Sequence, residues 1–103
     1  MTREGFLGTN FRFIYSDETY RINILSDTSL HWTREVGDNV GQSDEESYVL
    51  DVLSEDLIML SWVEADGLGL SNVMNLSDGN LVTHANHGRD VFQNRGQHTL
   101  KGA

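Results

Sequence analysis

The sequence predicts an all-β domain, a small antiparallel up-and-down barrel of about eight strands occupying residues 1–103 as a single unit. Three observations predict it. Apolar residues recur with a period of two, the signature of half-buried strands. Turn residues break that pattern about every eight to twelve positions. Helix signals are scarce.

The elements follow in order. Phe11, Phe13 and Tyr15 alternate in the first strand, which Ser16-Asp17-Glu18 ends. Tyr20, Ile22 and Ile24 alternate in the second, up to Ser26-Asp27. Leu30, Trp32 and Arg34 share a face in the third, which stops near Val36-Gly37. Asp38 to Glu46 is polar and reads as a loop between strands. Tyr48, Leu50 and Val52 form one face of the fourth strand. Leu57 to Val63, LIMLSWV, is the most apolar run, and both of its faces are expected to be buried. Asp66-Gly67 suits a tight type I′ turn into a sixth strand, Leu68 to Leu76. Ser77 to Asn80 turns into a seventh strand, Leu81 to Ala85. Asn86 to Asp90 turns again, and Val91 to Leu100 completes the set. Short hairpins favour antiparallel neighbours, and closure removes exposed edges; a two-sheet sandwich is the alternative.

Composition narrows the function. The net charge is −9, from 16 acids against 7 bases. A field of that sign repels phosphates, so nucleic acid and anionic membranes are not expected partners. There are no cysteines, which excludes disulfides, thiolate catalysis and thiolate-bound zinc. The start, MTREGFLG, lacks a leader's apolar region, and no apolar run spans a bilayer, so the expected location is cytoplasmic.

Four segments carry a family resemblance: Phe11 to Tyr15 with Thr19-Tyr20, Trp32 through Gly37 and Gly41, Ser61 to Gly67, and Phe92 to Gly96. In that order and spacing the chain resembles the MoaF-like proteins, and Ser-Trp-x-Glu-x-Asp-Gly is the most specific stretch. The resemblance implies a lipocalin-like (calycin) barrel and no settled reaction. The phenolic acid decarboxylases look like distant relatives. By that likeness Glu64 matches their interior glutamate and Tyr15 one tyrosine. The other tyrosine falls at Phe13 and the arginine near Gln42, so two of the four groups are missing.

Trp62 and Glu64 are two apart on a strand and point to one face. An inward Glu64 ends an apolar wall, where burial raises a carboxylate's pKa and suits it to acid–base work. Beside the turn it would otherwise meet water or a base. Phe13, Tyr15, Trp32 and Trp62 form an aromatic lining suited to flat organic ligands, or else an ordinary packed core. An inward Arg34 needs Glu64 or a ligand anion, whereas an outward one reaches solvent. Arg21 should face out.

No metal or cofactor is expected. His84 and His87, three apart on a strand, point to opposite faces. The acidic Asp38, Asp44, Glu45 and Glu46 lack the glycine and spacing of a calcium loop. The leading expectation is a barrel holding a small hydrophobic or aromatic molecule, with Phe13, Tyr15, Trp32, Arg34, Trp62 and Glu64 as its contacts. The rivals are an enzyme using Glu64 as general acid or base with Tyr15 as hydrogen-bond donor, and an interaction module with a filled core. A homodimer is also expected.

Overall fold

The structure, a computed structural model, describes residues 3–101. A one-turn helix, α1 (Arg3–Phe6), leads into β1 (Asn10–Ile14), β2 (Thr19–Ile24), β3 (Ser29–Val36), β4 (Ser43–Ser54), β5 (Leu57–Val63), β6 (Gly69–Asn75), β7 (Asn80–His87) and β8 (Asp90–Lys101). Each strand pairs with the next, and β8 returns to β1, so the eight strands form a closed antiparallel barrel. The β1–β8 ladder, from Asn10 opposite Lys101 to Ile14 opposite Gln97, excludes the sandwich. Gly96 makes that seam possible. A β-carbon there would collide with the Ile14 carbonyl oxygen and crowd the Tyr15 ring.

One end of the interior is solid. Phe6, Phe11, Leu30, Ile58, Leu60 and Met74 are all 0% exposed. The Phe6 ring lies 5.3 Å from Phe11 and 6.0 Å from Tyr48 and stoppers this end. Thr9 holds it there: its backbone N–H and its hydroxyl both donate to the Phe6 carbonyl oxygen, at 3.3 and 2.6 Å. Toward the other end the register sets Phe13 opposite Tyr20, Ile22 opposite Trp32, and Trp62 between Tyr48 and Leu70. The aromatic side chains thus gather in adjacent layers.

Several expectations are corrected. Residues 43–46 are strand, not loop: Asp44 pairs with Trp32, Glu45 with His31 and Glu46 with Leu30. Polar side chains at a rim stay in water while their backbone completes the ladder, so side-chain polarity did not reveal the pairing. The LIMLSWV strand is buried on one face only. Ile58, Leu60 and Trp62 are inside, Leu57 and Met59 are half-buried, and Val63 is 62% exposed.

The turn after it is not type I′, which needs positive φ at both central residues. Only Gly67 has positive φ, 92°. The Gly67 N–H donates to the Glu64 carbonyl at 2.9 Å, and the Asp66 carboxylate accepts from the Leu68 N–H at 3.0 Å. β7 extends through His87, and the last hairpin turns on Gly88 and Arg89, with Gly88 at φ 60°. No helix among the described residues is long and apolar enough to cross a membrane.

Candidate functional site

The other half of the barrel is hollow. A cavity of about 300 Å³ opens at the end formed by the β1–β2, β5–β6 and β7–β8 turns. The cause is side-chain size. Small Thr83 and Ala85 point inward from β7, where the closed end has Leu81 and Met74. Backbone curvature fixes the barrel's width, so small residues leave space. Phe13, Tyr15, Trp32, Arg34, Trp62 and Glu64 all line this one cavity. A solid core throughout is therefore excluded.

The wall also holds residues the sequence did not name as contacts, among them Glu18, Tyr20, Asn72, Thr83, Phe92 and Asn94. Tyr20 was legible from parity, since it shares a face with Ile22. Thr83 shares a face with Leu81 in the same way. Asn72 shares a face with Leu70 and Met74, so parity turned it inward too, but an amide between apolar side chains gave no sign of what it would bond. Phe92 is 55% exposed and stands at the mouth.

A directed chain of hydrogen bonds runs along the wall. Asn72 is 1% exposed, and its Nδ2 donates to the Leu60 carbonyl at 2.9 Å. That fixes its oxygen to accept from the Thr83 hydroxyl, also at 2.9 Å. Thr83 has one proton and has given it away, so in the 2.6 Å contact with Tyr15 the tyrosine donates. Burial pushes the Tyr15 hydroxyl up to about 12, against the lowering effect of Thr83 and with a small push from Glu18. Toward the cavity Tyr15 thus offers oxygen lone pairs and not the hydrogen expected of it.

A second cluster rings the mouth. Trp62 Nε1 donates to Glu64 Oε2 at 3.3 Å, and Trp32 Nε1 donates to Glu46 Oε2 at 3.1 Å. Glu64 lies just past the end of β5 and is half-buried. Burial pushes its carboxyl above the ordinary glutamate value. The Trp62 N–H and Arg34 pull it down, and Asp66 and Glu46 push it further up. Tyr20 donates to Glu18 Oε2 at 2.8 Å and accepts from Arg34 Nη2 at 2.8 Å. Burial and the bond to Glu18 hold the Tyr20 hydroxyl protonated.

Arg34 makes no ion pair with Glu64. Among the described residues the ion pairs are Arg12 of β1 and Arg21 of β2, both with Glu35 of β3, at 2.7 and 3.3 Å. Arg34 instead donates through Nη1 to the Asp38 carbonyl at 2.8 Å and stacks 5.1 Å from the centre of the Tyr20 ring. It is the arginine of this cavity, while Gln42, where the decarboxylase likeness would put one, lies exposed in the β3–β4 loop.

The histidines do not converge. His84 and His87 are exposed, and His98 is buried with Nε2 2.8 Å from the Asn75 carbonyl. Among the described residues no three metal-binding side chains cluster.

The sequence matches a family model described as MoaF-like over residues 7–99. No curated protein matches it. Among solved structures, the barrel is similar to a crystal structure of a Burkholderia vietnamiensis protein provisionally described as a beta-lactamase. That match has a TM-score of 0.87 at 19% identity and covers 98% of this chain and 100% of the other. Identity that low speaks for the fold alone.

Proposed function

The chain belongs to the MoaF-like family, and from that premise we propose that its barrel is a receptor for a small, mainly apolar or aromatic molecule held among Phe13, Tyr15, Trp32, Arg34, Trp62 and Glu64. One observation carries the reading: a cavity of about 300 Å³, open at one end, sits inside a barrel whose other half is packed solid. Filling it with hydrocarbon would have stabilised the fold, since burial of one more large apolar side chain is worth roughly 1.5–3 kcal/mol. An unfilled, aromatic-walled space with a few polar groups is the usual form of a ligand site. Its volume equals roughly ten waters at about 30 Å³ each, which suits a one- or two-ring molecule. We also assign the protein to the cytoplasm, where a fold without cysteines needs no oxidising chemistry.

The two tryptophans of the chain, Trp32 and Trp62, both line the cavity, so their emission reports occupancy. Adding 2-naphthol should quench it in a saturable way. Ala85→Phe, which fills the space from β7, should abolish the response while leaving the melting temperature near that of the parent. Native mass spectrometry of protein purified without added ligand should find a retained organic mass. No retained mass, together with a probe response unchanged by Ala85→Phe, would defeat the proposal.

A second reading, an enzyme, is favoured by the raised pKa of Glu64. In it Glu64 transfers the proton, and Tyr15 serves as a neutral acceptor, since a hydroxyl at about 12 is no base near neutrality. Glu64→Gln separates the two readings by abolishing turnover of the retained molecule while the cavity still binds it. The beta-lactamase description of the structural neighbour finds no counterpart here. Neither serine nor lysine lines the cavity, and serine acyl transfer needs an activated serine.

A further inference from the structure

The hydrogen-bonding capacity of the cavity is lopsided. Its indole and hydroxyl donors are all engaged inside the protein. Trp62 donates to Glu64, Tyr20 to Glu18, Tyr15 to Thr83, and Thr83 to Asn72. Trp32 donates away from the cavity's lining, to Glu46. What remains toward the interior is mainly acceptor capacity, set against one buried cationic donor without a partner, Arg34 Nε. Oε1 of Glu64 and Oε1 of Glu18 have no hydrogen-bond donor among the described residues, and Tyr15 keeps its oxygen lone pairs. The neutral exception is Asn94, whose oxygen accepts from the Arg95 N–H and whose amide hydrogens stand at the exposed rim.

Charge points the same way. Glu18 and Glu64 line the cavity, and Glu46 lies close enough to act on Glu64. Against these three carboxylates stands Arg34. Two of its guanidinium nitrogens are already tied to Asp38 and Tyr20, and its face lies on the Tyr20 ring. A ligand carboxylate would meet two like charges and a single guanidinium with only its Nε left without a partner, which is costly in a site partly shielded from water. A cation would meet the reverse, with tryptophan faces adding cation–π attraction.

Building on the receptor reading above, we propose that the cavity selects hydrogen-bond donors, and specifically organic cations: a protonated amine on an apolar or aromatic body, its nitrogen toward the Glu64 carboxylate and its body against Trp62 and Phe13. The ligand supplies the donor that Glu64 Oε1 lacks. Binding fades as pH falls and Glu64 takes up its proton. The groups that tune this are Asp66 on the same turn, Glu46 on β4, Arg34 on β3 and the Trp62 N–H.

The test uses three probes of one shape and different charge: 2-phenylethylamine, 2-phenylethanol and 3-phenylpropanoate. They are titrated into the full chain and read by calorimetry and tryptophan emission. At mildly alkaline pH the amine should bind at least about tenfold tighter than the carboxylate, the value of one charge-assisted hydrogen bond, with the alcohol between. Glu64→Gln should lower amine affinity by about tenfold and leave the alcohol within about twofold. Glu18→Gln should weaken the amine in the same sense, and Arg34→Gln should tighten it. The amine's advantage should shrink on acidification in the parent and not in Glu64→Gln. A carboxylate that binds as well as the amine overturns the charge assignment and leaves the receptor reading standing. No response to any of the three probes overturns both.

Discussion

Thr83 is the residue on which the polar wall depends, because its single proton sets the direction of the whole chain of bonds. Replacing it by valine keeps the shape and leaves the Asn72 oxygen and the Tyr15 hydrogen without partners. Buried polar groups left so cost about 1–3 kcal/mol each. Thr83→Val should therefore lower the unfolding free energy by an amount in that range, seen as a lower urea midpoint at unchanged slope, whereas an unchanged midpoint would mean that water replaces the hydroxyl. Glu64 makes a different prediction. Its folded-state pKa is raised, first by burial. Between the ordinary glutamate value and the raised one, the folded chain holds more protons than the unfolded chain, so stability falls as pH rises through that window. Glu64→Gln removes the effect. The variant should melt higher than the parent above the window, and the two should converge below the ordinary glutamate value. A melting difference that does not change with pH would show that desolvation of Glu64 is not the cause.

Among the elements, α1 is short but closes the barrel. Its Phe6 side chain is 0% exposed and touches rings on β1 and β4. Removing a fully buried phenylalanine costs about 3–5 kcal/mol. Phe6→Ala should lose stability on that scale in urea unfolding, and it should open the closed end to a quencher of tryptophan emission. The hairpins play another part. The β5–β6 turn carries Glu64 to the mouth: the Glu64 N–H donates to the Leu68 carbonyl at 2.8 Å, and the same turn ends on Gly67 with its positive φ. Position in the turn, and not strand parity alone, is what brings Glu64 beside Trp62. β4 is long enough to serve two neighbours in succession. Ser43 to Ser47 pair with β3, and Tyr48 to Ser54 pair with β5. This splaying puts Glu46 beside Trp32 and accounts for an acidic stretch lying within a strand.

For the molecule as a whole, closure leaves its outer wall as the place for contact with other chains. Val49 is 66% exposed and Val63 62%, on neighbouring strands, and both line one open groove of about 610 Å³ that reaches Trp62 and Leu70. Apolar groups at such exposure favour a partner surface. We expect a homodimer through this wall. Sedimentation at micromolar concentration should find a mass of two chains, and Val49→Lys should return it to one. A monomer in the parent would leave the groove without that role. The net charge of −9 adds long-range attraction for cations approaching the mouth.

While the β1–β8 seam that makes it a barrel and not a sandwich came from the tertiary structure, the sequence by itself determined that the chain is an antiparallel all-β domain, about where its strands lie, and which aromatic residues share one face. The reason is local: side chains alternate across a strand, so parity in the chain becomes sidedness in the sheet. Phe13, Tyr15, Trp32 and Trp62 were legible for that reason, and Arg34 and Glu64 extended the same two strands. Parity says nothing about how far a side chain reaches or what meets it from across the barrel. Only the tertiary structure decided that the interior is half filled, through Phe6 below and Thr83 and Ala85 above. It alone decided that Arg34 leans on Tyr20 instead of Glu64, and that Tyr15 spends its hydrogen on Thr83. Those outcomes depend on register between strands distant in sequence, and register is set by the closure of the whole sheet rather than by any one segment.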